Sequence, residues 1–254
     1  METPKKTDAA SLPHAASPPY SLSAEALQFH EIIEELYRRP GTWPGSIDPE
    51  TGRFLHALAR LIRPELAVEV GTHYGISTLW LARALADNGA GRLISLDLFD
   101  APPMDEVRRT LERAGLAGRV QLVRGPSTTV GADACRRAGR PIDLLYIDGD
   151  HRVEGCAADF ETLGALVRPG GFVILHDIYP DQCGWDGPRY VLNFLAERPE
   201  HSGKWQVLEL PTAPPSPYGI AVLRKMDAAR TRILPRPAYW LYQWYNRIRP
   251  WFRR

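Results

Sequence analysis

The feature of this sequence that most constrains its fold is a regular alternation of short apolar runs with helical segments, beginning near residue 66. Consecutive parallel strands need long crossover connections, so the alternation predicts βαβ units and a parallel sheet. The runs are apolar on both faces, as buried strands in such sheets are. The predicted parallel strands are LAVEV around residue 67, RLISLD ending at Asp97, VQLVRG ending at Gly125, DLLYID ending at Asp148 and FVILHD ending at Asp177.

Helical spacing of apolar residues predicts the connections between these strands. The predicted helices cover residues 77–86, 104–114, 127–138, 154–167 and, after the fifth strand, 189–195. Two later runs, WQVLEL and YGIAVLRK, predict strands joined by a Pro-rich loop. They are expected to form an antiparallel hairpin, which completes a seven-stranded, mostly parallel sheet.

The two ends of the chain differ from its centre. A chain of 254 residues is long enough for one large α/β domain, and a second full domain is not expected. Residues 1–22 are rich in Pro, Ala and Ser, which predicts a disordered leader. Two predicted helices follow, one from Ser23 to the stop at Pro40 and one from Pro49 to Ile62, and we expect them to cap the entrance to a site. The folded domain is predicted to span residues 23–225.

Composition argues against several classes of function. The formal net charge of +1 gives no overall field that would gather nucleic acid, so no specific nucleic-acid partner is expected. The three cysteines lack the spacing of a disulfide framework or a zinc site. No stretch reaches the roughly 18 apolar residues of a membrane span, and the N-terminus lacks the apolar core of a signal peptide. We therefore expect a cytoplasmic protein.

The segment VEVGTHYGIST combines a strand end, a glycine turn and a helix start. Glu69 ends the first strand, Gly71 and Gly75 occupy the turn, and a helix begins near Ser77. Glycines let the backbone approach a ligand closely, and a helix N-terminus offers free amide donors. A nicotinamide site would require G-x-G-x-x-G, whereas histidine stands in place of the second glycine here. The spacing therefore disfavours a dehydrogenase.

This turn, preceded by an acid, resembles the first motif of class I S-adenosylmethionine-dependent methyltransferases. Asp97 ends the second strand, where an acid can accept hydrogen bonds from ribose hydroxyls, and the third strand ends where this family holds adenine. The segment from Tyr146 to Asp177 is similar to catechol and caffeoyl-CoA O-methyltransferases, and still more to bacterial enzymes from antibiotic- and sugar-tailoring clusters. The resemblance implies a Rossmann-like class I methyltransferase fold and S-adenosylmethionine as cofactor. The residues implied to bind it are Glu69, Gly71, Thr72, Gly75, Ser77, Asp97, Gly125, Ser127 and Asp148.

The resemblance also implies a reaction, the O-methylation of a small-molecule hydroxyl. In metal-dependent members of the group, the ligand positions of magnesium fall on Asp148, His176 and Asp177 of this chain. His176 stands where the relatives have an acid, which leaves open magnesium, a softer divalent ion or no metal. His151 takes the place of the family's catalytic lysine. With an unperturbed pKa near 6.5, its imidazole is predicted to act as the base at neutral pH, together with Asp148.

Alternatives remain at this point. Asp148 and Asp150 could only cap the following helix, and His176 could be a strand-end histidine bonded to a carbonyl. The chain could be a metal-independent O- or N-methyltransferase, or a catalytically silent, membrane-associated protein that still binds the cofactor. The loop carrying Trp185 and Tyr190 is expected to fold over an acceptor. Nothing in the sequence identifies that acceptor.

The C-terminal segment, residues 226–254, carries seven arginines, one aspartate and many aromatic side chains. Its apolar residues fall on one face of a predicted helix. Three interpretations compete: packing against the domain or a partner subunit in a homo-oligomer, peripheral contact with an anionic inner-membrane surface, and nucleic-acid binding.

Overall fold

A computed structural model describes residues 23–42, 45–99, 104–196, 205–214 and 216–226 of the chain. The predicted leader, residues 1–22, and the predicted basic aromatic helix beyond residue 226 lie outside the described residues. The described strands form one seven-stranded sheet in the order β3-β2-β1-β4-β5-β7-β6. The strands are β1 Leu66–Val70, β2 Arg92–Asp97, β3 Val120–Arg124, β4 Ile142–Ile147, β5 Val167–His176, β6 Trp205–Leu210 and β7 Ile220–Lys225.

The pairing of these strands confirms the predicted sheet. Strands β1 to β5 pair in parallel, with Val68 of β1 aligned with Ile94 of β2 and with Leu145 of β4. Strand β7 is antiparallel to both β5 and β6, which makes the predicted C-terminal hairpin. Strand β5 begins five residues before the predicted run FVILHD, at Val167, and its register against β4 shifts between Ile142 and Leu144.

The helices follow the predicted pattern with small changes at their ends. They are α1 Ala24–Arg38, α2 Pro49–Ile62, α3 Ile76–Asp87, α4 Met104–Arg113, α5 Ala132–Arg137 and α6 Val153–Leu166, with helical turns at Ser127–Gly131, Pro180–Cys183, Gly187–Tyr190 and Val191–Leu195. The first two begin where the sequence supplies a cap: Ser23 Oγ accepts the amide proton of Ala26 at 3.2 Å, and Asp48 Oδ1 accepts that of Glu50 at 2.8 Å. The predicted helix at 127–138 is divided into a turn and α5.

Apolar side chains cover both faces of the sheet. Neighbouring residues of β1 show the alternation, because Ala67 packs in the cluster under α1 to α4 and Val68 in the cluster under α5 and α6. The N-terminal helices pack against α3, where the Phe29 and Trp80 rings meet edge to face at 5.0 Å. The two helices were expected to cap the entrance to a site. Instead, residues 45–47 in the loop between α1 and α2 line a cavity at the carboxyl ends of the strands.

Among the described residues, no helix is both long enough and apolar enough to cross a membrane.

Candidate active site

Two cavities lie at the carboxyl ends of the parallel strands, the edge where open α/β sheets bind their ligands. The larger has a volume of about 700 Å³ and is bounded by the turn after β1, the end of β2, the loop after β3 and the start of α6. The smaller has a volume of about 380 Å³ and lies among residues 45–47, the turn after β1 and the loop after β5. Gly71, His73, Asp148 and His151 line both cavities, so the two spaces adjoin at these residues.

The turn after β1 needs its glycines. Gly71 has φ +93°, and a β-carbon added there would lie 2.1 Å from the carbonyl oxygen of Asp148. Gly75 has φ +82° and precedes the first turn of α3. Their backbone conformations favour glycine, and Gly71 lines both cavities. Thr72 and Ser77 line the smaller cavity beside the turn.

Glu69 lies fully buried beneath this turn. Its Oε2 accepts hydrogen bonds from the hydroxyls of Thr78 and Ser95, each at 2.5 Å, and its Oε1 has no partner among the described residues. Burial raises the pKa of Glu69 to about 7, although the neighbouring hydroxyl donors oppose that shift. The residue therefore holds an acceptor atom inside the protein that is still unpaired.

Asp97, at the end of β2, braces the turn. Its Oδ2 accepts the amide protons of Thr72 at 2.9 Å and His73 at 2.8 Å, and its Oδ1 accepts that of Phe99 at 2.9 Å. The carboxylate also lines the larger cavity. The sequence predicted that Asp97 contacts a ligand, but not that it holds the turn after β1. The hydrogen bonds that hold the turn connect the end of β2 to residues after β1, and a sequence pattern does not show such contacts.

Gly125 and Ser127 line the larger cavity after β3, where the family resemblance places the adenine of the cofactor. Their contact with adenine stays a prediction. The hydroxyl of Ser127 donates to Asp159 of α6, a buried acid that sequence reasoning did not select. The sequence does give one sign of Asp159: it is an acid that stands between Ala158 and Phe160 in a predicted helix. Asp150 pairs with the exposed Arg152 and accepts its amide proton at 3.0 Å, just before α6 begins. No side chain caps the first turn of α6, so Asp150 does not have the helix-capping role that was the alternative for it.

Four titratable side chains meet where the cavities adjoin. His151 Nε2 lies 3.2 Å from Asp148 Oδ1 and 3.1 Å from Asp177 Oδ2. On the other side, His176 Nδ1 lies 3.4 Å from Asp148 Oδ1 and 2.8 Å from Asp177 Oδ1. The hydroxyl of Tyr146 donates to Asp148 Oδ2 at 2.8 Å. Two imidazoles therefore stand between two carboxylates on the ends of β4 and β5.

These contacts raise the pKa of both histidines and lower the pKa of both carboxyl groups. Burial alone lowers the pKa of His151, but hydrogen bonds and charges of Asp148 and Asp177 outweigh it and raise that pKa to about 10. The pKa of His176 is also raised, by the same carboxylates, while both histidines hold the pKa of each carboxyl below its ordinary value against burial. The expectation of a His151 base assumed an ordinary pKa, whereas the two carboxylates raise that pKa in this arrangement. The role of His151 as the base stays a prediction.

The two carboxylates predicted as metal ligands, Asp148 and Asp177, lie close together, and the histidine that groups with them is His151 where the sequence predicted His176. Asp148, His151 and Asp177 offer ligand atoms that all lie within 4.8 Å of one another. His176 lies against the same carboxylates, but it is buried, and its Nε2 has no partner among the described residues. Both histidines line the smaller cavity, and only His151 also lines the larger one. His151 is the histidine whose ligand atom groups with both carboxylates, while His176 as a metal ligand stays a prediction.

The loop after β5 contributes to the smaller cavity in part as predicted. Trp185 lines it, 48 % exposed, with its ring centroid 6.3 Å from that of His151. Tyr190 instead packs against Phe194, with the ring centroids 4.9 Å apart and the rings tilted by 41°, and it does not line the cavity. Tyr218, in the turn before β7, is a lining residue that the sequence pattern did not single out.

Comparison with known proteins gives one family match and several relatives. Residues 68–178 match the model of a methyltransferase domain. A catechol O-methyltransferase of Niastella koreensis is 32 % identical over 136 residues, which cover 54 % of this chain and 59 % of the relative. A catechol O-methyltransferase of Mycobacterium tuberculosis is 34 % identical over 133 residues, 52 % of this chain and 57 % of the relative. The match thus spans less than two thirds of either relative's length.

Solved structures resemble about four fifths of this chain. An O-methyltransferase from Bacillus cereus, in complex with SAH, has a TM-score of 0.61 at 24 % identity over 79 % of this chain and 91 % of its own. The O-methyltransferase TomG from Streptomyces achromogenes, involved in tomaymycin synthesis and in complex with SAM, has a TM-score of 0.63 at 23 % identity over 79 % of this chain and 90 % of its own. At these identities the likeness shows the fold alone.

Proposed function

We propose that this chain, which has the fold of class I S-adenosylmethionine-dependent methyltransferases, is a member of that family and methylates a hydroxyl group of a small molecule. One observation carries the proposal: a cavity suited to a nucleoside adjoins a second cavity, and the acid and imidazole cluster stands between them. A methyl donor in the first space would have its acceptor in the second, next to groups that can orient the oxygen nucleophile.

The cofactor residues proposed from the sequence fit the larger cavity and the turn beside it. Gly71 leaves backbone free where a side chain would collide with Asp148, and Glu69 holds a buried acceptor without a partner. The carboxylate of Asp97 faces the same cavity and suits ribose hydroxyl donors. Gly125 and Ser127 line the region proposed for the base. Ser77 lies in the first turn of α3, where helix amides can bind a ligand. Thr72 and Gly75 shape the turn before that helix, since the Thr72 amide donates to Asp97 and the Gly75 amide to the Thr72 carbonyl. Bound S-adenosylmethionine supplies an electrophilic methyl group.

The cluster between the cavities would position the acceptor hydroxyl and take up its proton. Asp148, His151 and Asp177 form a donor set of oxygen and nitrogen atoms that suits a divalent cation. Such a cation would acidify the acceptor hydroxyl and lower the pKa of His151 by offsetting the two carboxylates. A metal-bound imidazole nitrogen has no free lone pair, so with the cation present His151 holds the metal, and without it His151 accepts the proton. In both versions His151 and Asp148 would lie beside the reacting oxygen. Trp185 provides an apolar wall for the acceptor.

A second candidate is a metal-independent methyltransferase, and one observation favours it. The two imidazoles, both with raised pKa values, already neutralise the two carboxylates in the cluster. In that version, His151 accepts a proton only when the pH approaches its raised pKa. The two versions therefore differ in their response to a chelator and to pH.

Location and partners are proposed from the sequence. The chain would act in the cytoplasm on a small-molecule acceptor, with residues 226–254 as a peripheral contact for an anionic inner-membrane surface. The competing proposal places that segment against the domain or against a second copy in a homo-oligomer.

The proposal is tested with S-adenosylmethionine carrying an isotopically labelled methyl group and a panel of phenols, catechols and sugars. Mass spectrometry should detect transfer to at least one hydroxyl acceptor, and Asp148→Asn should reduce the rate at least about 100-fold. Arg108→Gln, on the exposed face of α4, is the matched control and should keep the rate. Cofactor binding without transfer to any acceptor would instead support the catalytically silent alternative.

A further inference from the structure

His73, in the turn after β1, has an unusual backbone conformation. Its φ is +46°, in the left-handed region that residues other than glycine rarely adopt. Its amide donates to Asp97 Oδ2 at 2.8 Å, a contact that holds the backbone in place. A strained conformation persists only where neighbouring contacts hold it, and such residues cluster at functional sites. The backbone of His73 therefore indicates that the direction of its side chain has a role.

The imidazole of His73 contacts residues 45–47, the segment between α1 and α2 that lines the smaller cavity. Its Nδ1 lies 3.1 Å from Ser46 Oγ, within hydrogen-bonding distance. A β-carbon built at Gly45 would have three atoms of the same ring as its nearest neighbours, the closest at 3.2 Å. Two consecutive residues of the segment thus rest on one ring.

The other end of this segment is fixed by separate contacts. Ile47 is 2 % exposed, and its carbonyl oxygen accepts the hydroxyl proton of Tyr37 at 2.7 Å. Asp48 follows as the cap of α2. None of these contacts involves His73, so the imidazole is left to position only the first two residues of the segment.

We infer that His73 is a positioning residue for the methyl acceptor, because its imidazole fixes the wall of the smaller cavity that Gly45 and Ser46 form. The inference rests on the proposed function, which places the acceptor in that cavity. Gly45 and His73 also line the larger cavity, whereas Ser46 lines the smaller cavity and not the larger. Loss of the bond to Ser46 should therefore weaken binding of the acceptor and leave binding of the cofactor unchanged.

A purely structural role for His73 would be to pack on the ring of Tyr74, whose centroid lies 4.4 Å from its own. That role would be kept by any aromatic ring at position 73, whereas positioning requires a hydrogen-bonding atom where histidine has Nδ1. Asparagine carries such an atom and tolerates a positive φ. His73→Asn should therefore keep the anchor, while His73→Phe keeps a ring and loses the anchor.

The first measurement is amide hydrogen exchange of the full chain, followed by mass spectrometry in peptides that cover residues 45–48. Exchange should be about fivefold faster in His73→Phe and in Ser46→Ala than in the unaltered protein, the worth of one hydrogen bond. In His73→Asn it should stay at the rate of the unaltered protein. The matched control is His30→Phe, on the exposed face of α1, which should also keep that rate.

The second measurement is the kinetics of methyl transfer to catechol, or to another hydroxyl acceptor on which the panel of phenols, catechols and sugars gives transfer. Ser46→Ala should raise the KM of the acceptor about fivefold and change kcat less than about twofold, with the Kd of S-adenosylhomocysteine unchanged. His73→Phe should raise the KM at least as far, and adding Ser46→Ala to it should raise the KM no further, because both changes remove the same bond.

Two results would overturn the inference and leave the proposed function standing. One is unchanged hydrogen exchange in folded Ser46→Ala, and the other is exchange in His73→Asn as fast as in His73→Phe. Equal losses of acceptor and cofactor affinity in Ser46→Ala would also overturn it. Absence of transfer to every acceptor would overturn the proposed function instead, and hydrogen exchange would still decide whether His73 anchors the segment.

Discussion

Replacement of Glu69 by glutamine should remove a large part of the pH dependence of this protein's stability. Burial raises the pKa of Glu69 from an ordinary value of 4.5 to about 7. A carboxyl whose pKa is raised by folding binds its proton more tightly in the folded chain than in the unfolded chain. Its contribution to stability is therefore complete below pH 4.5 and is lost as the pH rises through about 7.

The size of the effect follows from the two pKa values. Their difference corresponds to about 3 kcal/mol in the free energy of unfolding, since each pKa unit is worth about 1.4 kcal/mol. The Glu69 carboxyl has no exposed surface through which solvent could screen this contribution. Glutamine has nearly the same shape as protonated glutamic acid and does not titrate, so Glu69→Gln should lack the contribution.

The assay is urea-induced unfolding at pH 5 and at pH 8. On going from pH 5 to pH 8, the unaltered protein should lose about 3 kcal/mol more stability than Glu69→Gln does. Glu112→Gln, which removes an exposed acid from α4, should behave like the unaltered protein. Equal losses in the unaltered protein and in Glu69→Gln would refute the reasoning, because they would mean that Glu69 titrates alike in the folded and unfolded chains.

Three further predictions concern the turn, the cluster and the C-terminal segment. Gly71→Ala should have a much lower melting temperature than Gly89→Ala. Both alanines would have a positive φ, but only the β-carbon at position 71 would collide with backbone atoms. Equal melting temperatures would contradict the close approach of Gly71 to Asp148. EDTA should abolish methyl transfer, and added Mg²⁺ or Mn²⁺ should restore it. A rate that EDTA does not change and that rises toward pH 10 would support the metal-independent version, because His151 must lose its proton there before it can act as the base. The full chain should float with anionic liposomes while a version ending at Lys225 should not, and equal flotation of both would remove the membrane proposal.

Most of the fold was predictable because local patterns determine it. Strand β4 is apolar except for Asp143, and α2 begins at a strong cap, so both were predicted within a residue or two of their observed ends. The early start of β5 was missed because residues 168–171 include Pro and two Gly residues, which indicate a turn. Pairing of Val167 with Ile142, across an irregular register, overrides that local signal.

The site was less predictable, because its chemistry depends on distances between strand ends. The sequence places Asp148 and Asp177 at two strand ends but does not give the position of the His151 ring between them. The pKa of His151 follows from that position, and so does the choice of His151 over His176 in the ligand trio. Asp159 was missed for the same reason, since its partner Ser127 lies 32 residues earlier in the chain.

The most direct test of the account is whether the turn after β1 and the carboxylate of Asp97 bind one cofactor molecule. Titration calorimetry of the folded chain with S-adenosylhomocysteine at neutral pH should give saturable heat at one molecule per chain, and Asp97→Asn should weaken that binding at least about tenfold. The absence of heat from well-folded protein would contradict the account.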